Sequence, residues 1–294
     1  MQTNTKENKL ELIKWKNHHI ENVEIDVLLF ALKERYGYDF SGYARASLKR
    51  RLMELKRYFD VSHLSEIIPE MLFNEAVAQA VINNISIPTS DFFRDPFVWK
   101  YIRNTVIPWL SGFPRINIWQ VGCGHGEETY TLSILLQEAG LSNRSRIFTS
   151  DINPSFLDDA KTGRWSKGKI ELWTENYKNS GGLDSFSNFF IEQGDRISIR
   201  EDLKESIEFI QHNLVVDEVF KEVQFVVCRN VMIYFGESLQ NRVLKLFSRS
   251  LERGGYLLLG RSERIMNLEI TPNLVELDHR FQIYRKNFGG DDHV

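Results

Sequence analysis

Through the first third of the chain, apolar residues recur at intervals of three and four. Leu28, Leu29 and Leu32, then Leu48, Leu52 and Leu55, then Leu64, Ile67 and Ile68 each fall on one face of a helix. Gly37, Gly42 and the Asp60-Val61-Ser62 stretch interrupt the pattern and separate the helices. A small all-helical domain is predicted at residues 18–88. Past Ile87 the pattern changes to short apolar runs alternating with amphipathic segments. Strands are predicted over Ile116–Val121, 146–150, Ile207–Gln211, 224–228, 256–259 and around Ile283, with helices near Glu127–Glu138, 154–161 and 238–250. Strand and helix in alternation specify an α/β domain, residues 89–288, built on a parallel sheet with crossover helices. A helix over 96–107, opened by Pro96 and N-capped by Asp95, is expected to lead into it.

Composition narrows the class. With 42% hydrophobic and 26% charged residues, 7 Pro and 18 Gly in 294 residues, the chain has the profile of a folded protein. No apolar run approaches the roughly 18 residues of a membrane helix, and the first residues lack the apolar stretch of a signal peptide, so a cytoplasmic protein is expected. Two cysteines, Cys123 and Cys228, are too few for a disulfide scaffold or a Cys-rich zinc site and read as small buried residues. A net charge of −3 speaks against a wholesale nucleic-acid surface. His18-His19 lies in a polar stretch, HExxH spacing is absent, and no metal is expected.

The candidate chemistry starts where INIWQV runs into GCGHGEETY. Gly122, Gly124 and Gly126 occupy a strand-to-helix turn, and small residues there admit a ligand. Asp151 stands 25 residues beyond Gly126, where an acid commonly accepts from ribose hydroxyls; its plainer role would be to cap the helix starting near Pro154. Together the loop and the acid indicate an adenosine-type ligand. Glu127 and Glu128 open the next helix and would repel a diphosphate, disfavouring a nicotinamide enzyme. They suit a cationic ligand such as S-adenosylmethionine, although acids in a first turn also simply complement the helix dipole. Asn213-Leu214 and Arg229-Asn230 follow later strands, at the edge where open α/β sheets bind ligands. The Asn/Asp-Pro-Pro-aromatic turn of nucleic-acid amino-methyltransferases is absent, so the substrate is not expected to be a base. His125 reads as a loop filler and His212 as a packed residue beside the adenine end.

SDFFRDP, GCGHGEETYTLS, TSDIN, CRNVMIYF and GGYLLLGRSE, in this order, resemble the CheR family of chemotaxis receptor methyltransferases over nearly the whole chain. The resemblance implies a helical domain joined to a doubly wound, mostly parallel methyltransferase sheet. It also implies methylation of glutamate side chains on the cytoplasmic helices of chemotaxis receptors, with S-adenosylmethionine as cofactor and S-adenosylhomocysteine as product. Beside the loop glycine Gly122, the implied cofactor contacts are Ser90, Arg94, Glu128, Asp151, Asn213, Leu214, Arg229 and Asn230, with Arg94 and Tyr234 as catalytic residues facing the reacting groups. Two departures matter. Pro88 stands where many members have Asn. The stretch 163–200, which in some members carries an inserted sheet with a receptor-gripping glycine loop, has its adjacent glycines at Gly181-Gly182 and only Gly194 near the expected place. Tail-peptide tethering is thus left without its usual sequence support. Gly260-Arg261-Ser262-Glu263 replaces the usual Gly-His-Ser-Glu. The alternative from another class is a non-catalytic S-adenosylmethionine-binding signalling or docking module.

The helix ARASLKRRLMELKR adds a candidate substrate surface. Ala44, Leu48, Leu52 and Leu55 form its apolar stripe, and Arg45, Lys49 and Lys56 fall on an adjoining arc. Six basic residues against Glu54 give +6 − 1 = +5 in a chain of −3. An ordinary solvated face is the plain reading; the resemblance makes Arg45, Lys49 and Lys56 candidates for attracting an acidic receptor helix.

Overall fold

The computed structural model describes residues 2–86, 88, 90–265 and 271–288, with side chains from residue 19 onward. The chain divides into two compact units, Met1–Ile87 and Pro88–Val294. In the first, α1 (Gln2–Tyr36), α2 (Arg45–Tyr58), α3 (Ile67–Phe73) and α4 (Glu75–Ile85) pack through the residues the spacing selects. Leu28, Leu32, Leu48, Leu52, Leu55, Leu64 and Ile67 are buried, while Leu29 and Ile68 lie at the margin. Arg51, one of the six basic residues of α2, turns inward and donates to the Ile85 carbonyl, one of the unpaired acceptors at the end of α4.

The second unit begins with α5 (Pro96–Tyr101), which continues through a π turn at Ile102–Val106 into α6 (Ile107–Leu110). Next come β1 (Ile116–Val121), α7 (Glu127–Glu138), β2 (Ser145–Asp151) and α8 (Pro154–Thr162). β3 (Arg164–Ser166), α9 (Ile170–Asn179), β4 (Phe190–Gln193) and β5 (Arg196–Ile199) form an insertion. β6 (Ile207–Gln211), β7 (Val223–Cys228), α10 (Glu237–Ser250), β8 (Leu251–Leu259), β9 (Leu274–Asp278) and β10 (Ile283–Lys286) complete the unit. The main sheet runs β6-β2-β1-β7-β8-β10-β9; its first five strands are parallel and β10 is antiparallel to both neighbours. This is the doubly wound, mostly parallel architecture expected. β7 is buried at every position, as a central strand covered on both faces must be.

Two helix caps differ from those the sequence suggests. Asp95 does precede the helix, but its backbone is left-handed (φ 58°) and its carboxylate makes no cap; it is committed to Arg229 instead. Asp151 does not cap α8 either: Asn153 does, accepting from Ser155 N at 3.0 Å.

The insertion is a three-stranded antiparallel sheet, β3-β5-β4, with Gly194 (φ 62°) in the β4–β5 hairpin. Phe92 is the centre of its packing, edge-on to Trp165, Trp173, Phe186 and Phe190 at centroid distances of 4.9–5.6 Å. Burying that ring fixes the SDFFRDP segment against the insertion.

Candidate active site

Strand register brings the predicted residues to one edge. Val121 of β1 lies level with Ser150 of β2 and Cys228 of β7; Cys228 is level with Leu259 of β8, and Asp151 with Gln211 of β6. The residues that follow, Gly122, Arg229, Gly260 and His212-Asn213, therefore emerge side by side with Asp151 at the carboxyl edge.

The glycine loop turns tightly because Gly122, Gly124 and Gly126 all have positive φ (74°, 51° and 95°). A Cβ on Gly122 would stand 2.4 Å from Val231 Cγ2. The loop spends its amides internally: Gly122 N and Cys123 N donate to Ser150 O, Gly124 N to Asp151 Oδ2 at 3.3 Å, and Gly126 N to Cys123 O. A diphosphate needs several such amides free, so the geometry disfavours a dinucleotide as the two glutamates do. Asp151 also accepts from Asn153 N at 3.0 Å through Oδ1. Burial lifts its carboxyl to about 6 against the pull of these backbone donors.

Glu127 and Glu128, equivalent by sequence, are separated by the structure. Both are buried. Glu128 Oε2 accepts from Arg229 Nη1 at 2.9 Å, and its Oε1 lies 3.4 Å from Gln120 Nε2. Arg229 is shared: Nη2 reaches Asp95 Oδ2 at 2.5 Å, Nη1 also meets Arg94 O at 3.2 Å, and the guanidinium lies 5.6 Å from the Trp99 ring centroid. Its side chain is 1% exposed. Glu128 and Arg229, both implied cofactor contacts, are also partners of each other. Glu127 is the one whose Oε2 has no hydrogen-bond partner among the described residues, and burial raises its carboxyl to about 7. The helix-start pattern pointed at both acids; only three-dimensional pairing shows which charge is left over.

Arg94 is half-buried, and its carbonyl, held by Trp99 Nε1 at 2.9 Å and by Arg229, ties it to the end of β7. Ser90 is half-buried just upstream. Tyr234 closes the 3₁₀ turn Met232–Tyr234 after β7 and is half-buried. Leu214 is buried; Asn213 Oδ1 is turned back onto Val215 N at 2.9 Å. Asn230 is left-handed (φ 61°), and with Phe93 and Asp95 it makes three of the five non-glycine positive-φ residues among those described. Their clustering at this edge is backbone strain collected at one place, and no sequence pattern announced it. His212 is buried and neutral, its pKa lowered by burial, against Trp119 and Phe220. His125 faces Asp159 at 3.3 Å, as a loop filler would, and Cys123 and Cys228 are buried with thiols pushed well up. In the helical unit, Arg45 pairs with Asp26 and Lys49 with Glu21 at 2.6 Å, while Lys56 is half-buried. Among the described residues no group of three or more His, Cys, Asp and Glu gathers as a metal site, and the side chain of His18 lies outside them.

Comparison with known proteins fixes the family. The model of the CheR methyltransferase S-adenosylmethionine-binding domain matches residues 88–281, and that of the CheR methyltransferase all-alpha domain matches residues 24–86. The chain belongs to the CheR methyltransferases. It is 37% identical over 266 residues to a protein named as the methyltransferase Cher3 of Pseudomonas putida, covering 90% of this chain and 97% of that one. It is 30% identical to the chemotaxis protein methyltransferases of Listeria innocua (84% and 93% covered) and of Borreliella burgdorferi (89% and 94%). S-adenosylmethionine is accordingly the cofactor of this CheR chain, and the edge fits it on three counts. The glycine cradle excludes side chains, Asp151 offers a carboxylate beside that cradle, and Glu127 supplies a buried carboxyl oxygen, Oε2, with no hydrogen-bond partner among the described residues.

Proposed function

We propose that the chain methylates glutamate side chains on the cytoplasmic helices of chemotaxis receptors, forming glutamate methyl esters, and acts in the cytoplasm. The observation that carries the reading is the composition of the sheet edge: a buried carboxyl, Glu127, whose Oε2 has no hydrogen-bond partner among the described residues, in the cofactor loop of a CheR-type chain. S-adenosylmethionine supplies the sulfonium-activated methyl group.

What the chain must add is position. A glutamate with an ordinary pKa near 4.3 is already an ionised nucleophile at neutral pH, so no general base is required. Holding it in line can contribute several kcal/mol. Asp151 accepts from the ribose, Glu127 balances the positive cofactor, and the Glu128–Arg229–Asp95 chain keeps the loop and the FRDP turn in register. Arg94 orients a carboxylate and Tyr234 hydrogen-bonds near the transferred methyl. On the helical unit, Arg45, Lys49 and Lys56 attract the acidic receptor helix.

The test is incubation of the purified protein with tritiated S-adenosylmethionine and receptor cytoplasmic fragments. Base-labile methyl label on glutamates is the expected result. Cofactor binding without label on any fragment would replace the enzyme with a non-catalytic S-adenosylmethionine-binding docking module. Arg94→Ala and Tyr234→Phe separate the roles: the first lowers affinity or turnover, the second leaves binding nearly intact and slows transfer.

A further inference from the structure

Glu263 is 4% exposed at the end of the Gly-Arg-Ser-Glu segment after β8. Its Oε2 accepts from Gly260 N at 2.7 Å and Asn230 N at 2.8 Å; its Oε1 accepts from Val231 N at 2.8 Å and Ile233 N at 3.2 Å. Four backbone donors thus converge on one carboxylate, a nest for an anion built from two loops. Among the described residues no salt bridge reaches it, and the backbone dipoles work against the burial that raises its carboxyl. Three of the four donors belong to the segment that carries Arg229, Asn230 and Tyr234 onto the sheet edge. One of those donors is Asn230 itself, whose backbone is held in the left-handed region (φ 61°), a conformation that clusters where the surroundings impose it. Gly260 is fitted to the same clasp: a Cβ there would stand 2.4 Å from Glu263 Oε2 and 2.8 Å from Asn230 N.

We propose that Glu263 is a positioning residue for methyl transfer, clasping the Arg229–Tyr234 loop so that Asn230 and Tyr234 are held at the reacting edge without Glu263 touching cofactor or substrate. The proposal rests on the function proposed above for the reading of transfer, and on the hydrogen bonds alone for the clasp. Glu263→Gln keeps the size but turns one acceptor into an NH₂ that faces backbone donors, so two of the four bonds are lost. Gly260→Ala disturbs the same clasp while keeping the carboxylate.

The experiment measures three things on wild type and both variants. These are amide hydrogen exchange at Asn230, Val231 and Ile233, affinity for S-adenosylhomocysteine, and kcat for receptor fragments at saturating cofactor per folded, product-binding site. The expected result in both variants is exchange faster at those three amides and kcat lower by about tenfold or more, with affinity falling less than kcat. Unchanged exchange overturns the clasp; faster exchange with unchanged kcat per folded site reduces Glu263 to a structural residue and overturns the positioning role. Should one variant fail to fold, the other decides. If the wild type itself transfers no methyl group, the proposed function fails. The clasp is then judged on exchange together with product affinity, both of which must change in the variants.

Discussion

The basic arc of α2 and the sheet edge hold their charges in opposite ways. On α2, Arg45 and Lys49 meet Asp26 and Glu21 of α1 where the four side chains retain between 26% and 68% of their exposure. At the sheet edge, Arg229 keeps 1% and Glu128 10%. Exposed pairs are worth about 0–1 kcal/mol because water screens them and their long side chains lose entropy. A buried pair is held by the cost of parting it, since a lone charge left behind is desolvated with nothing to balance it. The edge can therefore define a shape, whereas α2 can exchange its intramolecular partners for those of an incoming acidic helix at little cost.

The largest effect separates these two kinds of pair. Arg229→Ala strands Glu128 in the interior and frees Asp95, and it should destabilise the protein by about 3–5 kcal/mol in urea unfolding. The double variant Glu128→Gln/Arg229→Met, which removes both charges, should recover most of that loss. A single variant as stable as wild type would show that water already reaches the pair, and the contrast between the units would collapse.

Next in size is Asp151. It holds Gly124 N and Asn153 N, so its removal loosens the loop as well as deleting the proposed ribose acceptor. Asp151→Ala should weaken S-adenosylhomocysteine binding roughly 10- to 150-fold, from a charged hydrogen bond of about 1.5–3 kcal/mol. Calorimetry showing unchanged affinity in a folded variant would remove Asp151 from the site.

Glu127 sharpens the comparison from the side of pH. Its carboxyl is raised from 4.5 to about 7 in the folded protein, so the unfolded chain releases the proton first as pH rises. Stability is then full below about 4.5, declines as pH climbs towards 7, and stays lower above it, by roughly 3 kcal/mol at most. Glu127→Gln should make the cofactor-free protein more stable at pH 8, on the order of 2 kcal/mol, and flatten that pH profile. The same variant should bind the cationic cofactor more weakly. In the wild type, affinity should fall as pH drops from 8 to 6, because the protonated acid no longer balances positive charge. Equal stability of variant and wild type at pH 5 and pH 8 would mean that Glu127 is not strained by burial.

Much of this was legible in the sequence, for identifiable reasons. α7 matches the sequence reading residue for residue because a glycine loop precedes it and Gly140 follows its end. β1 and β6 likewise matched, their apolar runs being bounded by turn residues. The insertion's β3, β4 and β5 span only three or four residues with charged or polar residues among them, and the edge strand β9 is half exposed, so none presents the apolar run that marks a buried strand. At the edge, residue types identified Asp151, Glu127, Glu128 and Arg229 as a group, but not who pairs with whom, because Arg229 reaches back across 134 positions to Asp95. A salt bridge of that separation leaves no local trace. The same holds for Glu263 and for the inward turn of Arg51 on a helix face that otherwise reads as uniformly basic.

The smallest effect in stability is also the sharpest test of α2. Reversing Arg45, Lys49 and Lys56 to Glu places like charges opposite Asp26 and Glu21, and should cost only about 1 kcal/mol, as expected for exposed pairs. If these residues attract the receptor helix, the same reversal should raise the apparent KM for receptor fragments several-fold and leave S-adenosylhomocysteine affinity unchanged. Added salt should weaken the wild-type interaction as the screening length contracts from about 10 Å at 0.1 M to about 3 Å at 1 M. Stability and recognition are then separated by a second change: Glu21→Lys with Asp26→Lys, introduced into the reversed protein, restores both intramolecular pairs with their signs exchanged. The lost stability should return while KM stays high, because what faces the receptor on α2 is still acidic. Recovery of KM together with stability would mean that the basic arc serves the fold of the helical unit alone, and the substrate-attracting role of Arg45, Lys49 and Lys56 would be withdrawn.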